Sequence, residues 1–158
     1  MLRSLDLALL RLLRTRGHPP AVERGVAAFS RLGEHGILWY LAGIAGALAR
    51  PSQRKAFLRC TRVTAIAFVA NQVVKLLVRR RRPELEGLPP LTGTVTKLSY
   101  PSAHASTSFA AARCLSELVP GAYAVASTMA LSRLYLGVHY PSDSLAGAAL
   151  GDAVARLA

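Results

Sequence analysis

The chain has 158 residues, which is enough for one domain with a single core, and 52% of them are hydrophobic. Its 20 Lys and Arg residues against 8 Asp and Glu give a formal net charge of +12. Aromatic residues make up only 6% of the chain, and the basic residues flank apolar runs. This pattern favours a single membrane domain, residues 1–158, that handles anions over an ordinary nucleic-acid-binding domain.

The N-terminal segment predicts an amphipathic helix. Within residues 2–13 one helical face carries Leu2, Leu5, Leu9 and Leu12. We expect this helix to lie at a membrane interface, and the alternative is a surface helix that packs on a soluble core. Asp6 and Arg11 interrupt the leucine run and no small-residue cleavage site follows, so a removable signal peptide is not expected.

The remaining apolar runs predict five further helices. Pro and Gly residues separate these runs, which cover about 21–49, 52–78, 100–118, 122–135 and 141–157. No segment shows the alternation of a half-buried strand. The predicted fold is an all-α membrane bundle of about six helices, of which about five cross or nearly cross the bilayer.

Polar residues interrupt the apolar helix 52–78 at a regular spacing. Asn71, Lys75 and Arg79 are four residues apart, so they are expected to share one face that points into the bundle. The run 79–82 contains four consecutive Arg residues. Such a run is typical of a solvated segment or a topology signal, and we single out Arg82 because Pro83 fixes its position.

The sequence Tyr-Pro-Ser occurs twice, at 100–102 and at 140–142, and each copy opens a predicted helix. Ordinary helix capping explains Pro101 and Ser102. It does not explain the histidines close to the two starts, His104 and His139. Two such helix N-termini that face each other would form a cradle for a phosphate group.

Residues 132–143 place a cation, an imidazole and a carboxylate in an apolar segment. Asp143 follows His139 by four residues, so its carboxylate can hold one ring nitrogen while the other attacks an electrophile. Arg133 adds donors that suit phosphate oxygens. The alternative is structural: Arg133 and Asp143 form an ion pair, and His139 caps a helix.

Three motifs follow one another along the chain: Lys75-x6-Arg82-Pro83, then Pro101-Ser102-Ala103-His104, then Ser132-Arg133-x5-His139-x3-Asp143. This ordered set resembles the three-part signature of the type 2 phosphatidic acid phosphatase (PAP2) superfamily, which includes lipid and polyprenyl phosphatases and vanadium haloperoxidases. The second motif departs from the family because Ala103 replaces the usual Gly. Its methyl group would tighten the backbone against the phosphate.

The resemblance implies a role for each motif residue. His139 would be the nucleophile that forms a phosphohistidine, Asp143 would orient it, and His104 would protonate the leaving alcohol. The phosphoryl oxygens would be bound by Lys75, Arg82, Ser102, Ala103 and Arg133. Asn71 and Arg79 are expected to support these side chains. Fixed cations would neutralise the phosphate, so no metal and no cofactor are expected. Cys60 and Cys114 are interpreted as small buried hydrophobes.

The resemblance also implies a substrate, the terminal phosphate of a lipid-linked phosphate. The favoured compound is a polyprenyl-linked sugar phosphate, such as decaprenylphosphoryl-5-phosphoribose in cell-wall synthesis. Phosphatidylglycerophosphate, phosphatidic acid and undecaprenyl diphosphate are the alternatives. The loop 84–98 is expected to fit the headgroup through Thr94 and Lys97.

The expected location is the cell membrane, with several membrane-crossing helices and with membrane lipids and the substrate, not nucleic acid, as partners. With the site residues Lys75, Arg82 and Arg133 set aside, the active-site side still holds more basic residues than the other side. By the positive-inside rule, this predicts a cytoplasmic site. The remote alternatives are a vanadium haloperoxidase and a non-enzymatic basic membrane protein.

Overall fold

A computed structural model describes residues 2–158, and its description of side chains begins at Ser4. Residues 2–158 contain seven α-helices: α1 (Leu2–Arg14), α2 (Pro20–Arg31), α3 (Ile37–Ala49), α4 (Arg54–Val78), α5 (Ala103–Leu115), α6 (Ala122–Tyr135) and α7 (Pro141–Leu157). Two short 3-10 turns, Glu34–Gly36 and Pro51–Gln53, precede α3 and α4. Extended pairing within residues 2–158 is limited to one bridge between Arg81 and Leu98. The all-α prediction is confirmed.

One predicted helix is broken into two. The segment 21–49 was expected to be continuous, but it divides into α2 and α3 around the turn Glu34–Gly36. His35 and Gly36 adopt the left-handed conformation, with φ values of 53° and 81°, and a helix cannot continue through it. The break brings the end of α2 and the turn Glu34–Gly36 against α5. The packing there is close, and a Cβ at Gly33 would lie 2.6 Å from the His104 ring.

Helix α5 is the centre of the bundle and packs against α4, α6 and α7. Its contact with α7 depends on glycine, because a Cβ at Gly151 would lie 2.1 Å from the backbone oxygen of Ser106. The two helices begin side by side, and the Ser102 N–H donates to the Asp143 carbonyl at 3.0 Å. This close packing joins the second motif to the third.

Large apolar side chains remain exposed on the outer helices, including Leu41, Ile44 and Leu48 of α3 and Val69, Val73 and Leu77 of α4. Apolar surface of this extent is typical of a protein that contacts lipid. Within residues 2–158, one helical stretch, Pro51–Val78, has the length and composition needed to cross a membrane. With 13 residues each, α3 and α5 extend about 20 Å. The prediction of about five crossing helices stays a prediction.

Helix α1 has two different faces. Leu5, Leu9 and Leu12 are exposed, whereas Asp6 and Arg14 lie on the buried face. The buried face contacts α6 and α7. An interfacial position for α1 stays a prediction, but the two charged residues beside buried Leu10 on its inner face were not expected.

Candidate active site

The three motifs meet at a cavity of about 110 Å³. Six of the predicted site residues line it: Lys75, Arg82, Ala103, His104, Arg133 and His139. Its remaining lining includes Glu34 and His35 from the turn before α3, Phe68 and Gln72 from α4, and Thr94 from the loop 84–98. The two histidines, although distant in sequence, therefore open onto one small cavity.

His139 lies in the segment between α6 and α7 and is 2% exposed. Arg82 Nη1 is 3.1 Å from His139 Nε2. Because a guanidinium can only donate, Nε2 must accept and the ring proton must sit on Nδ1. Nδ1 lies 3.4 Å from Oδ2 of Asp143. Burial, followed by the charges of Arg82 and Arg133, holds the pKa of His139 well below 6.5, so the ring is neutral at neutral pH.

The Asp143 carboxylate is fully buried in the first turn of α7. Oδ2 accepts a hydrogen bond from the Tyr140 N–H at 2.9 Å, which caps the helix. Oδ1 accepts from Arg80 Nη1 at 2.9 Å. The carboxylate facing His139 is therefore held at both oxygens.

Ser30, in the last turn of α2, supports two site residues at once. Its carbonyl lies 3.1 Å from His104 Nε2, so this nitrogen carries a proton and donates. Its hydroxyl accepts from Arg133 Nη1 at 2.6 Å. Sequence reasoning did not name Ser30. The feature of the sequence that could have indicated it is a hydroxyl residue shortly before Gly33 and Gly36, which follow the end of the helix.

Three cations line the cavity from different elements. Lys75 lies in the last turn of α4 and is 4% exposed, and Arg133 lies in the last turn of α6. Arg82 donates to the carbonyls of Thr96, at 2.8 Å, and Val138, at 2.7 Å. Burial lowers the pKa of Arg82 to about 10, so its charge persists at neutral pH. Cations fixed by protein hydrogen bonds suit an anion of high charge.

The start of α5 also faces the cavity. Ala103 is the first residue of the helix and lines the cavity. Ser102 is buried, and its Oγ has no hydrogen-bond partner within residues 2–158. Free amides and an unpaired hydroxyl at a helix N-terminus are well suited to a phosphate oxygen.

The predicted polar stripe of α4 ends at Lys75. Asn71 is buried and donates to Pro101 O at 3.2 Å and Ser106 Oγ at 2.9 Å, so it supports the start of α5. Arg79 does not join it. This residue has a left-handed φ of 53°, ends α4, and turns its exposed side chain back to the Leu76 carbonyl. The left-handed residue rotates Arg79 away from the helical face that four-residue spacing assumes.

Two further expectations are corrected, and one alternative is excluded. Of the two helices that begin with Tyr-Pro-Ser, α5 places its first residue at the cavity, whereas Asp6 occupies the start of α7, where it accepts from the Ser142 N–H at 3.0 Å. The alternative in which Asp143 forms a structural ion pair with Arg133 is excluded, because Asp143 pairs with Arg80. Thr94 lines the cavity, but Lys97 lines a neighbouring groove instead.

A neutral imidazole with a buried carboxylate behind it and three cations around it is an arrangement that can support nucleophilic attack on a phosphoryl group. The family model described as the PAP2 superfamily matches residues 56–158. The chain belongs to the PAP2 superfamily, and the predicted family is confirmed. Helices α1 to α3 precede the matched segment, so Asp6, Ser30 and Glu34 lie outside it.

Curated relatives extend the likeness beyond the family model. The chain is 40% identical over 147 residues to a protein of Mycolicibacterium smegmatis named decaprenylphosphoryl-5-phosphoribose phosphatase, covering 92% of this chain and 82% of the relative. It is 38% identical over 139 residues to the protein of that name from Mycobacterium tuberculosis, covering 87% and 77%.

A solved structure agrees with the fold. The transmembrane PAP2-type phosphatidylglycerolphosphate phosphatase of Bacillus subtilis is 26% identical and superposes with a TM-score of 0.78, over 98% of this chain and 83% of that one.

Proposed function

We propose that this protein, acting as one domain over residues 1–158, is a membrane phosphatase that hydrolyses a terminal phosphate from a lipid-linked phosphate through a phosphohistidine. The observation that carries the proposal is the contact between Arg82 Nη1 and His139 Nε2. It assigns the lone pair to Nε2, where the Arg82 Nη1–H occupies it until substrate binds, and places the Nδ1 proton beside Asp143. His139 is thus in the tautomer that a nucleophile requires.

The phosphoryl group would be held by cations and by the start of α5. Lys75, Arg82 and Arg133 offset its charge, and the Ser102 hydroxyl and the amide of Ala103 add donors. His139 attacks phosphorus, the bond to the alcohol oxygen breaks, and phosphate is carried on Nε2. Water then attacks phosphorus and regenerates the histidine. Phosphoryl transfer needs such positioning and charge stabilisation more than covalent help.

His104 would supply the proton to the leaving oxygen. Because its Nε2–H donates to the Ser30 carbonyl, the proton it transfers must be a second one, which Nδ1 takes up as the phosphate anion binds. After transfer the neutral ring accepts a proton from the attacking water. Replacement of His104 should therefore slow both steps.

The favoured substrate is decaprenylphosphoryl-5-phosphoribose, the compound in the names of the relatives at 38–40% identity. The outer part of the cavity agrees with a sugar next to the phosphate, because Glu34, Gln72 and Thr94 offer hydrogen-bonding groups for hydroxyls. Phosphatidylglycerophosphate, phosphatidic acid and undecaprenyl diphosphate are the competitors. Phosphate release from this panel in mixed micelles tests the choice. The prediction is the highest kcat/KM for the phosphoribose lipid, and faster turnover of any competitor would contradict it.

We further propose that several helices cross the cell membrane, that the leucine face of α1 lies at the interface, and that the site opens to the cytoplasm. The exposed apolar residues of α3 and α4 and the basic residues on the active-site side support this arrangement. A single cysteine at exposed Val95, in a background without Cys60 and Cys114, tests sidedness. Labelling by an impermeant reagent in intact cells would contradict a cytoplasmic site.

A haloperoxidase would use the same cations to hold vanadate. The assay that separates the two functions is bromide oxidation by the purified protein with vanadate and peroxide, measured beside phosphate release. The proposed function predicts phosphate release that vanadate inhibits. Bromide oxidation without phosphate release would replace the proposed function.

A further inference from the structure

The Asp143 carboxylate beside His139 belongs to a chain of charges formed by Asp143, Arg80 and Asp6. The guanidinium of Arg80 lies between two carboxylates, with Nη1 2.9 Å from Asp143 Oδ1 and Nη2 2.8 Å from Asp6 Oδ2. It also lies over the ring of Tyr140, 3.9 Å from its centroid. A planar fork of donors held on three sides has little freedom to turn.

Asp6 anchors this chain in α1. Its side chain is 5% exposed, and it accepts hydrogen bonds from both the backbone N–H and the hydroxyl of Ser142. Burial alone would raise the pKa of Asp6, but the hydrogen bonds from Arg80 and Ser142 outweigh it and lower the pKa. Asp6 is therefore an anion at the N-terminus of α7, where helix amides favour negative charge.

A second contact of α1 holds the same segment. Arg14 donates to the carbonyls of Pro89, at 2.7 Å, and Tyr135, at 3.4 Å. It also lies against Gly137, where an added Cβ would be 2.8 Å from Arg14 Nε. Helix α1 therefore contacts the segment between α6 and α7 near both ends, and His139 lies between these contacts.

The chain of charges determines how Asp143 faces His139. Arg80 holds Oδ1 and the Tyr140 N–H holds Oδ2, so the carboxylate cannot rotate about its own axis. This orientation leaves Oδ2 beside His139 Nδ1. Without Arg80 the carboxylate would lose its charged partner at Oδ1, and the neutral donors that remain, the Tyr140 N–H and the Ser99 hydroxyl, would allow it to turn away from the ring.

We propose that Arg80, anchored by Asp6 of α1, is a positioning residue that aligns Asp143 with His139. The inference rests on the proposed function, because it assigns Arg80 to the same nucleophile. Arg80 touches no reacting atom. It should therefore affect the rate of phosphohistidine formation more than substrate binding.

The test uses four variants of the full chain in the same detergent: Arg80→Gln, Arg80→Lys, Asp6→Asn and, as a matched control from the same arginine run, Arg81→Gln. Arg81 is exposed and has no place in the chain of charges. Loss of a hydrogen bond to a buried charge predicts that kcat of Arg80→Gln falls about 10- to 100-fold, with KM within about 2-fold. Arg80→Lys should fall between wild type and Arg80→Gln, because an ammonium cannot bridge both carboxylates.

Asp6→Asn should lower kcat about 3- to 10-fold, since Asn keeps the Ser142 contact but loses the ion pair. Circular dichroism and the thermal midpoint show which variants fold. If Arg80→Gln does not fold, Arg80→Lys and Asp6→Asn decide the question.

The pH profile separates positioning from a purely structural role. The charged and titratable groups that face His139 come from several elements: Lys75 of α4, Arg82 after it, His104 of α5, Arg133 of α6 and Asp143 of α7. All of them remain in Arg80→Gln, whereas one positive charge behind Asp143 is lost. The imidazolium then becomes easier to form, so the acid limb of kcat should move to higher pH.

A failure of the proposed function and a failure of the positioning role of Arg80 give different results. If wild type releases no phosphate from any lipid phosphate, the proposed function fails. If wild type is active and His139→Ala is inactive, but Arg80→Gln and Asp6→Asn match Arg81→Gln in kcat and pH profile, the positioning role alone is refuted.

Discussion

Replacement of Ser30 by Ala tests the role of a residue that could not be assigned to the site from the sequence. The hydroxyl accepts from Arg133 Nη1 at 2.6 Å, and Arg133 is 5% exposed. Hydrogen bonds to charged groups contribute roughly 1.5–3 kcal/mol, and about 1.4 kcal/mol is a factor of ten in rate. A bound phosphate offers Arg133 a second acceptor, which places the expected loss in kcat/KM at the lower end, about 10-fold.

The substitution separates the two contacts of this residue. The backbone carbonyl that accepts from His104 is retained, so the basic limb of the pH profile, which the proposed general acid His104 would set, should not move. The assay is phosphate release from a lipid phosphate in micelles. The control is Thr128→Ala, which removes an exposed hydroxyl that bonds within α6. If Ser30→Ala matches Thr128→Ala in kcat/KM, the role assigned to the Ser30 hydroxyl is wrong.

Three further outcomes are expected. The lowered pKa of His139 keeps the nucleophile neutral in mildly acidic solution. The acid limb of kcat/KM should therefore lie below about pH 6.5. An acid limb above about pH 7 would contradict this reasoning. Because the charge of the phosphate is offset by side chains, excess EDTA should leave activity unchanged, and a loss restored by a divalent cation would show a metal requirement. Gly151→Ala should destabilise the fold by about 1–3 kcal/mol, since its Cβ would lie 2.1 Å from Ser106 O, whereas Gly25→Ala, with open space, should not lower the thermal midpoint. Equal midpoints for the two variants would refute the close packing of α5 on α7.

Local signals predicted much of the fold. Helices α6 and α7 begin and end where Pro, Gly and apolar periodicity place them, at Ala122–Tyr135 and Pro141–Leu157. The break after α2 also had a signal in Gly33 and Gly36. It was outweighed by the apolar run that follows, and periodicity alone does not show that a residue such as His35 will adopt a positive φ.

The role of a site residue could not be predicted from the sequence where a contact with a distant part of the chain determines that role. Four consecutive arginines look alike in sequence, yet Arg79 turns back to its own helix, Arg80 bridges two carboxylates and Arg82 reaches His139. The partner that distinguishes Arg80 is Asp6, 74 positions away. The sequence likewise predicts free backbone amides at the N-terminus of α7. Only the fold shows that Asp6 accepts a hydrogen bond from one of them, the Ser142 N–H.

The central claim is that His139 Nε2 carries the phosphate during turnover. The most direct measurement is a rapid-quench experiment with a lipid phosphate labelled in its terminal phosphate, stopped in alkali and mapped by peptide. The account predicts a transient label on the peptide that contains His139, formed before phosphate release and absent in His139→Ala. Turnover without protein-bound label at any time, or label on a peptide without His139, would contradict it.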